Sequence, residues 1–214
     1  MSLFLKLDKT ILKTLTFLSE NDKILVQGDT MDLSNFSKYL EALEKNKIPK
    51  ENQMLDMDLY MEQLINFLNH INFILQRDFD DKIITSSMIN NYVKGNVIES
   101  PIKKKYQKSH VGQLLRISFY KKILEINDCK KLFEFEKHIY KKKGYHNSFV
   151  DTKEQIFKSR INELKKMIDN KELDNYEKIH QYMNERLINA FLDITLVERL
   201  IDFIKIDMQK KNKE

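Results

Sequence analysis

Along most of the chain, apolar residues recur at steps of three and four, the spacing that turns one face of an α-helix toward a core. Leu33, Phe36, Leu40 and Leu43 predict a helix ending near Lys45, with Asp32 or Ser34 as its N-cap and Asn46 and Pro49 past its end. A second helix is expected over about residues 56–77, apolar on more than one side through Leu59, Met61, Leu64, Ile65, Leu68, Ile71, Phe73, Ile74 and Leu75. Asp56, Asp58 and Glu62 suit the positive end of its dipole. A short helix follows over about 88–94, with Thr85, Ser86 or Ser87 as its cap and Gly95-Asn96 as a left-handed stop. Pro101 then forces extended chain, and residues 103–108 read as a basic loop or two-stranded wing.

Ser109 is placed to cap the next helix, whose Val111, Leu114, Leu115, Ile117 and Leu124 face inward. Asp128 is placed to cap another, running through Leu132, Phe133, Phe135 and Ile139. Residues 141–151 form a polar linker, Thr152 opens a helix to about residue 170, and a last helix spans about 174–210. In that last helix Met183, Leu187, Ala190, Ile194, Val197, Ile201, Ile204 and Met208 make a heptad-like seam. Ile188, Phe191, Leu192, Leu196, Leu200 and Phe203 widen it, and at about 1.5 Å per residue the helix would reach roughly 50 Å. Residues 1–29 are ambiguous: Leu7, Ile11, Leu15 and Leu18 can line a helix, and 23–28 can form a short strand.

Only four glycines and two prolines punctuate 214 residues, too few for a β-rich domain, so the fold class is all-α or nearly so. The expected division is an N-terminal extension (1–29), a central domain (30–145) and a C-terminal helical region (146–214) that supplies a dimer or effector surface. One cysteine, Cys129, excludes an intrachain disulfide and a four-cysteine zinc site, and fits a reducing cytosol. Lys6, Asp8, Lys9 and Lys13 interrupt any signal-peptide core, and no stretch reaches the roughly 20 apolar residues of a membrane span. A cytoplasmic protein without a membrane partner is therefore expected.

Charge changes this picture most. The net charge is +5, yet residues 1–81 carry nine Lys/Arg against fourteen Asp/Glu, while 82–122 carry nine against one. Such a block suggests a surface that meets a polyanion. In the short helix, Asn90, Asn91 and Lys94 lie outward if Ile89, Tyr92 and Val93 face in. Asparagine can pair bidentately with adenine, and lysine can reach guanine or phosphate. Thr85, Ser86 and Ser87 put hydroxyls and free amides at a helix N-terminus, where phosphate oxygens bind. Lys103, Lys104, Lys105 and Lys108 would meet the DNA backbone as a wing anchored by Tyr106, and Arg116 adds a further cation. There is no Gly-rich phosphate loop. The five histidines (His70, His110, His138, His146, His180) show no i, i+4 metal pair, and no nucleophile has an evident base. No catalytic residue, cofactor or metal is therefore expected.

Three motifs in order carry a resemblance: residues 58–63 (DLYMEQ), Ile84-Thr85 with 88–94 (MINNYVK), and Pro101 with 103–106 (KKKY) and His110. Over about residues 33–145 the chain resembles a family of bacterial proteins, domain of unknown function 1836, grouped with helix-turn-helix proteins. More distantly it is similar to MerR-type winged helix-turn-helix regulators. Ile89 and Tyr92 match their recognition helix, and 96–98 the turn that follows it. Pro101 matches their proline, Lys104 with Tyr106 the wing pair, and Ser109 onward the long helix. Asn90 stands where that family has a phosphate-binding arginine, and Lys104 replaces the wing arginine, keeping charge without the bidentate fork. The resemblance implies a MerR-like core acting as a homodimeric transcriptional regulator on double-stranded DNA. The alternatives are a protein-interaction module on the same fold that meets an acidic partner, and a small enzyme.

Overall fold

Leu59 and Tyr60 do not open a helix. They form a two-residue strand, β1 (Leu59–Tyr60), paired antiparallel with β2 (Lys105–Tyr106), with Leu59 opposite Tyr106 and Tyr60 opposite Lys105. This pairing is why the second helix begins later than its apolar pattern suggests. The alternation that buries Leu59 and exposes Tyr60 suits an extended chain whose one face meets the core. The computed structural model describes residues 32–54, 56–72, 76, 82–140 and 144–211. The ambiguous segment 1–29 and Phe73, Ile74 and Leu75 lie outside the described residues.

Among the described residues there are seven α-helices: α1 (Ser34–Lys45), α2 (Met61–Ile71), α3 (Ser86–Lys94), α4 (Lys108–Tyr120), α5 (Ile126–Tyr140), α6 (Tyr145–Asp169) and α7 (Tyr176–Lys211). A 3-10 turn (Glu51–Gln53) joins α1 to the strand region. The chain is thus mainly helical, and no described helix is long and apolar enough to cross a membrane.

The core forms around α4, in which every residue from His110 to Ser118 is buried. Val111, Leu114, Leu115 and Ile117, four of the five inward positions that the sequence identifies, meet Leu64 and Leu68 of α2, Ile89 and Tyr92 of α3, Phe133 of α5 and Val150 of α6, whereas the fifth, Leu124, lies past the end of α4 and packs with Cys129. The other side of α4 is covered as well, so its polar residues need internal partners. Asn72 donates from Nδ2 to Ser118 Oγ (2.8 Å), and Ser118 donates in turn to the Leu114 carbonyl. Gly112 has a packing role: a Cβ there would stand 3.2 Å from the His146 ring, so the missing side chain lets α6 lie close against α4.

Arg116 is the largest of the fully buried side chains. Its Nη2 meets Glu136 Oε2 at 3.2 Å, and its guanidinium carbon lies 5.1 Å from the Phe133 ring centre and 4.4 Å from that of Tyr145. One cation therefore ties α4, α5 and α6 together through an ion pair and two ring faces. Burial raises the Glu136 carboxyl above its ordinary range, and the nearby Arg116 charge opposes that shift.

Some helix starts are set by groups other than those the cap pattern names. Gln107, not Ser109, is the N-cap of α4, and its N–H donates to His110 Nδ1 (3.0 Å). The α5 helix begins at Ile126, so Asp128 lies inside its first turn and pairs with Lys131 (2.8 Å). Asp32 does serve the start of α1, accepting the Ser34 N–H (2.8 Å). The α6 helix starts at Tyr145, seven residues before Thr152, because its first turns are already in the core. There Val150 is buried and His146 sits against the Pro49 carbonyl (2.9 Å).

The α7 helix, at about 1.5 Å per residue, is roughly 54 Å long. Only its C-terminal part packs on α5: Ile201 is buried with Leu124 and Cys129, and Lys131 bridges to Asp202 (3.0 Å). Burial pushes the Cys129 thiol up to about 11, which keeps it a protonated packing group at neutral pH. The heptad-like seam is therefore partly occupied within the chain. Before Ile201 it stays open at Met183, Leu187 and Val197. Ile188, Leu192, Leu196 and Phe203 form a second apolar face on the side of the helix away from Ile201.

Two measurements test this packing. Glu136→Ala strands a buried guanidinium and should cost about 3–5 kcal/mol in denaturant unfolding. Arg116→Met with Glu136→Leu together should lie nearer wild type than either single change. A single-variant loss under about 1 kcal/mol would show that the pair holds nothing. The second test concerns His146, whose pKa burial lowers, the hydrogen bond with the Pro49 carbonyl opposing. The unfolded chain takes up this proton near the ordinary value of about 6.5, and the folded chain only at lower pH. Between the two values the unfolded state holds more protons, so stability should fall as pH drops below about 6.5. A melting-temperature profile from about pH 7.5 to 5.5 should show that fall, and His146→Gln should flatten it.

Candidate nucleic-acid interface

The α3 helix is fixed at both ends and along one side, which leaves its other side free. Thr85 is its N-cap, accepting the Met88 N–H on Oγ1 (3.3 Å), so Ser86 and Ser87 belong to the first turn. Just before the cap, Asn69 of α2 grips the backbone of Ile84 twice, accepting its N–H (3.1 Å) and donating to its carbonyl (2.9 Å). The C-terminus closes in a Schellman motif: Asn96 N–H bonds to the Val93 carbonyl and Val97 N–H to that of Tyr92. Asn96, at φ 53°, is the left-handed residue, whereas Gly95 stays right-handed at φ −76°. Lys130 of α5 then donates to the Gly95 carbonyl (3.1 Å), a cation at the negative end of the helix dipole.

Ile89 and Tyr92 are buried and Met88 and Val93 half-buried, while Ser86, Ser87, Asn90, Asn91 and Lys94 are exposed. At about 100° per residue these five occupy one stripe about 140° wide. The outward set expected from the sequence is thus the outward set in the structure.

After Pro101 the chain makes a tight hairpin. Ile102 and Lys105 exchange both backbone hydrogen bonds (3.0 and 2.9 Å) across a two-residue loop, Lys103-Lys104. Both loop residues have positive φ, 50° and 65°, the type I′ pattern for which Asn-Gly is the favoured sequence. Each lysine in the left-handed region costs about 1–2 kcal/mol. Both are exposed at the tip. Lys105 lies with Nζ 5.1 Å from the ring centre of Tyr60, which is itself 53% exposed. Lys108 Nζ meets Asp56 at 3.0 Å, and with both partners open to solvent that pair is worth about 0–1 kcal/mol and leaves the lysine available. Glu99, the one acid between residues 82 and 122, bonds to Lys137 of α5 (2.9 Å).

Two expected site residues are turned into the core: Tyr106, as the wing anchor that the sequence suggests, and Arg116. Tyr106 is buried, edge-on to His110 with ring centres 5.6 Å apart, and burial raises its phenol pKa. Arg116 lies in the interior pair described above, because only a core position lets it meet Glu136 and both rings. The exposed cations of this face are therefore lysines. Sequence reasoning missed Asn69 and Tyr60. A polar residue among the apolar positions of α2, and the in–out alternation at 59–60, are the signals that point to them.

A separate groove of about 470 Å³ lies between α1 and α6, lined by Leu43, Lys47, Lys153 and Phe157 among others. Lys153 Nζ donates to the Asn46 carbonyl (2.8 Å) and lies 4.4 Å from the Phe157 ring centre, and burial lowers its pKa to about 8. Asn46 is the C-cap of α1, so the contact has a capping role. Among the described residues no group of three or more His, Cys, Asp or Glu side chains is arranged to hold a metal ion.

Replacing the hairpin tip with its favoured residues, Lys103→Asn with Lys104→Gly, should raise folding stability by about 1 kcal/mol in denaturant titration. A loss of stability would contradict the left-handed geometry at the tip.

A family model described as a domain of unknown function (DUF1836) matches residues 46–157, just over half of the chain. The match runs from the end of α1 through β1, α2, α3, the hairpin, α4 and α5 into α6. No curated protein and no solved structure matches the chain.

Proposed function

We propose a function for this chain, which belongs to the DUF1836 family: it is a DNA-binding transcriptional regulator that reads duplex DNA with α3 and grips the backbone with the lysine hairpin. The observation that carries this is the pairing of two exposed features. One helix face bears only Ser86, Ser87, Asn90, Asn91 and Lys94, and the hairpin that follows that helix in the chain holds Lys103 and Lys104 at a strained tip. A backbone outlier kept at a cost points to a role beyond folding. The helix face has the small polar side chains that a major groove accepts, and the hairpin has the charge that phosphates attract. The order helix, helix, hairpin, helix supports a winged helix-turn-helix of MerR type, with α2 as first helix, α3 as reading helix and residues 101–108 as wing.

Regulators of this kind act as dimers when two half-sites are read, and α7 is the surface that supports one. Leu187, Ile188, Phe191 and Phe203 are 65–72% exposed, and large apolar side chains open to solvent along one helix support an interaction surface there. A second copy of the chain is the proposed occupant. The other reading, a protein-interaction module, gains from the Lys108–Asp56 pair, in which the basic face meets a carboxylate.

Binding to duplex DNA should weaken steeply with salt. Lys103→Ala with Lys104→Ala and Lys105→Ala should lower affinity for all duplexes and reduce the log–log salt slope by about 0.9 for each phosphate no longer neutralised. An unchanged gel shift by the triple variant would remove the wing assignment, and no shift of any duplex at low salt would favour the protein partner. Sedimentation at about micromolar concentration should give a dimer, and Phe191→Asp with Phe203→Asp a folded monomer. A monomeric wild type would end the dimer proposal.

A further inference from the structure

We infer that the duplex site of this protein is specified by adenines read in the major groove by Asn90 and Asn91, an inference that rests on the DNA reading proposed above. Both side chains are exposed on α3, and neither makes a hydrogen bond within the described chain. Free carboxamides on a helix face are a recognition group when the backbone beneath them is held still. The Asn69 clamp on Ile84, the Thr85 cap and the closure at Asn96 hold it.

A carboxamide carries one acceptor and two donors. Adenine presents an acceptor, N7, beside a donor, the N6 amino group, so Nδ2–H can donate to N7 while Oδ1 accepts from N6–H. Guanine presents two acceptors there, N7 and O6, and the same pose would set the carboxamide oxygen against O6. Guanine is read instead by a cation with paired donors. Arg116, the only arginine in the basic block, is in the core, and Lys94 is the single cation on the α3 face. Ser86 and Ser87 accept either base or bind phosphate. The face is therefore matched to adenine. Asn90 and Asn91 diverge by about 100° around the helix, so they address different base pairs.

The test uses the full chain and a pool of duplexes with a randomised centre. Selection should enrich adenine at two or more positions. The enriched duplex is then remade with 7-deazaadenine, which replaces N7 by C–H and leaves Watson–Crick pairing intact. Affinity should fall roughly ten- to a hundredfold at the positions read. In Asn90→Ala and Asn91→Ala, which alter exposed positions, each variant should lose sensitivity at its own base. Equal affinity for the natural and 7-deaza duplexes overturns adenine reading and leaves DNA binding standing. Enrichment of guanine does the same. Failure to retain any duplex at low salt overturns both.

Discussion

The buried contact of Arg116 with Glu136 sets the geometry on which the rest depends. A guanidinium taken wholly out of water is costly unless its charge is paired and its flat faces are covered. Here the charge meets Glu136 of α5, and the guanidinium carbon lies over the rings of Phe133 of α5 and Tyr145 of α6. Because Arg116 lies in the middle of α4, meeting all three partners fixes where α5 and α6 lie against that helix. The apolar residues around it supply most of the driving force, but they do not specify an arrangement as narrowly as a planar cation does.

That arrangement reaches the candidate interface through α5. Lys130 bonds the last turn of α3, Lys137 holds Glu99 beyond it, and Lys131 bridges to Asp202 of α7. One helix thus touches both the end of the proposed reading helix and the long helix proposed to dimerise. From the other side, Asn69 of α2 sets the start of α3, and β1 takes up the strand that supports the hairpin. Among the described residues the exposed stripe of α3 has no internal partners, because the buried stripe and both ends are engaged. The same holds for the hairpin tip, where two lysines occupy a turn that favours Asn-Gly.

The helices are legible in the sequence where their apolar spacing is regular and one-sided. The α3 face is the clearest case, since burying Ile89, Tyr92 and Val93 leaves Asn90, Asn91 and Lys94 outward whatever packs beneath. The start of α2 is not legible because Leu59 is apolar in either a helix or a strand, and only its partner Tyr106, far along the chain, decides between them. The start of α6 is hidden because Tyr145, His146 and Val150 lie in a polar run whose burial depends on α4 and Pro49. The seam of α7 is visible in the sequence, but a seam does not say whether its partner is α5 or another chain.

By itself, the sequence determined what depends on neighbours a few residues away: a mainly helical chain, the faces of its helices, the capped helix at 86–94 and a lysine-rich turn beside it. Periodicity and caps act over one or two turns, so they can be read from the order of residues. Tertiary structure decided what depends on residues distant in the chain. It drew Arg116 into the core, paired 59–60 with 105–106, gave Asn69 its clamp on Ile84 and left one face of α7 uncovered. A charged residue and a buried one can share the same local pattern. Only the groups packed around them settle whether a cation meets solvent, a ring or a carboxylate.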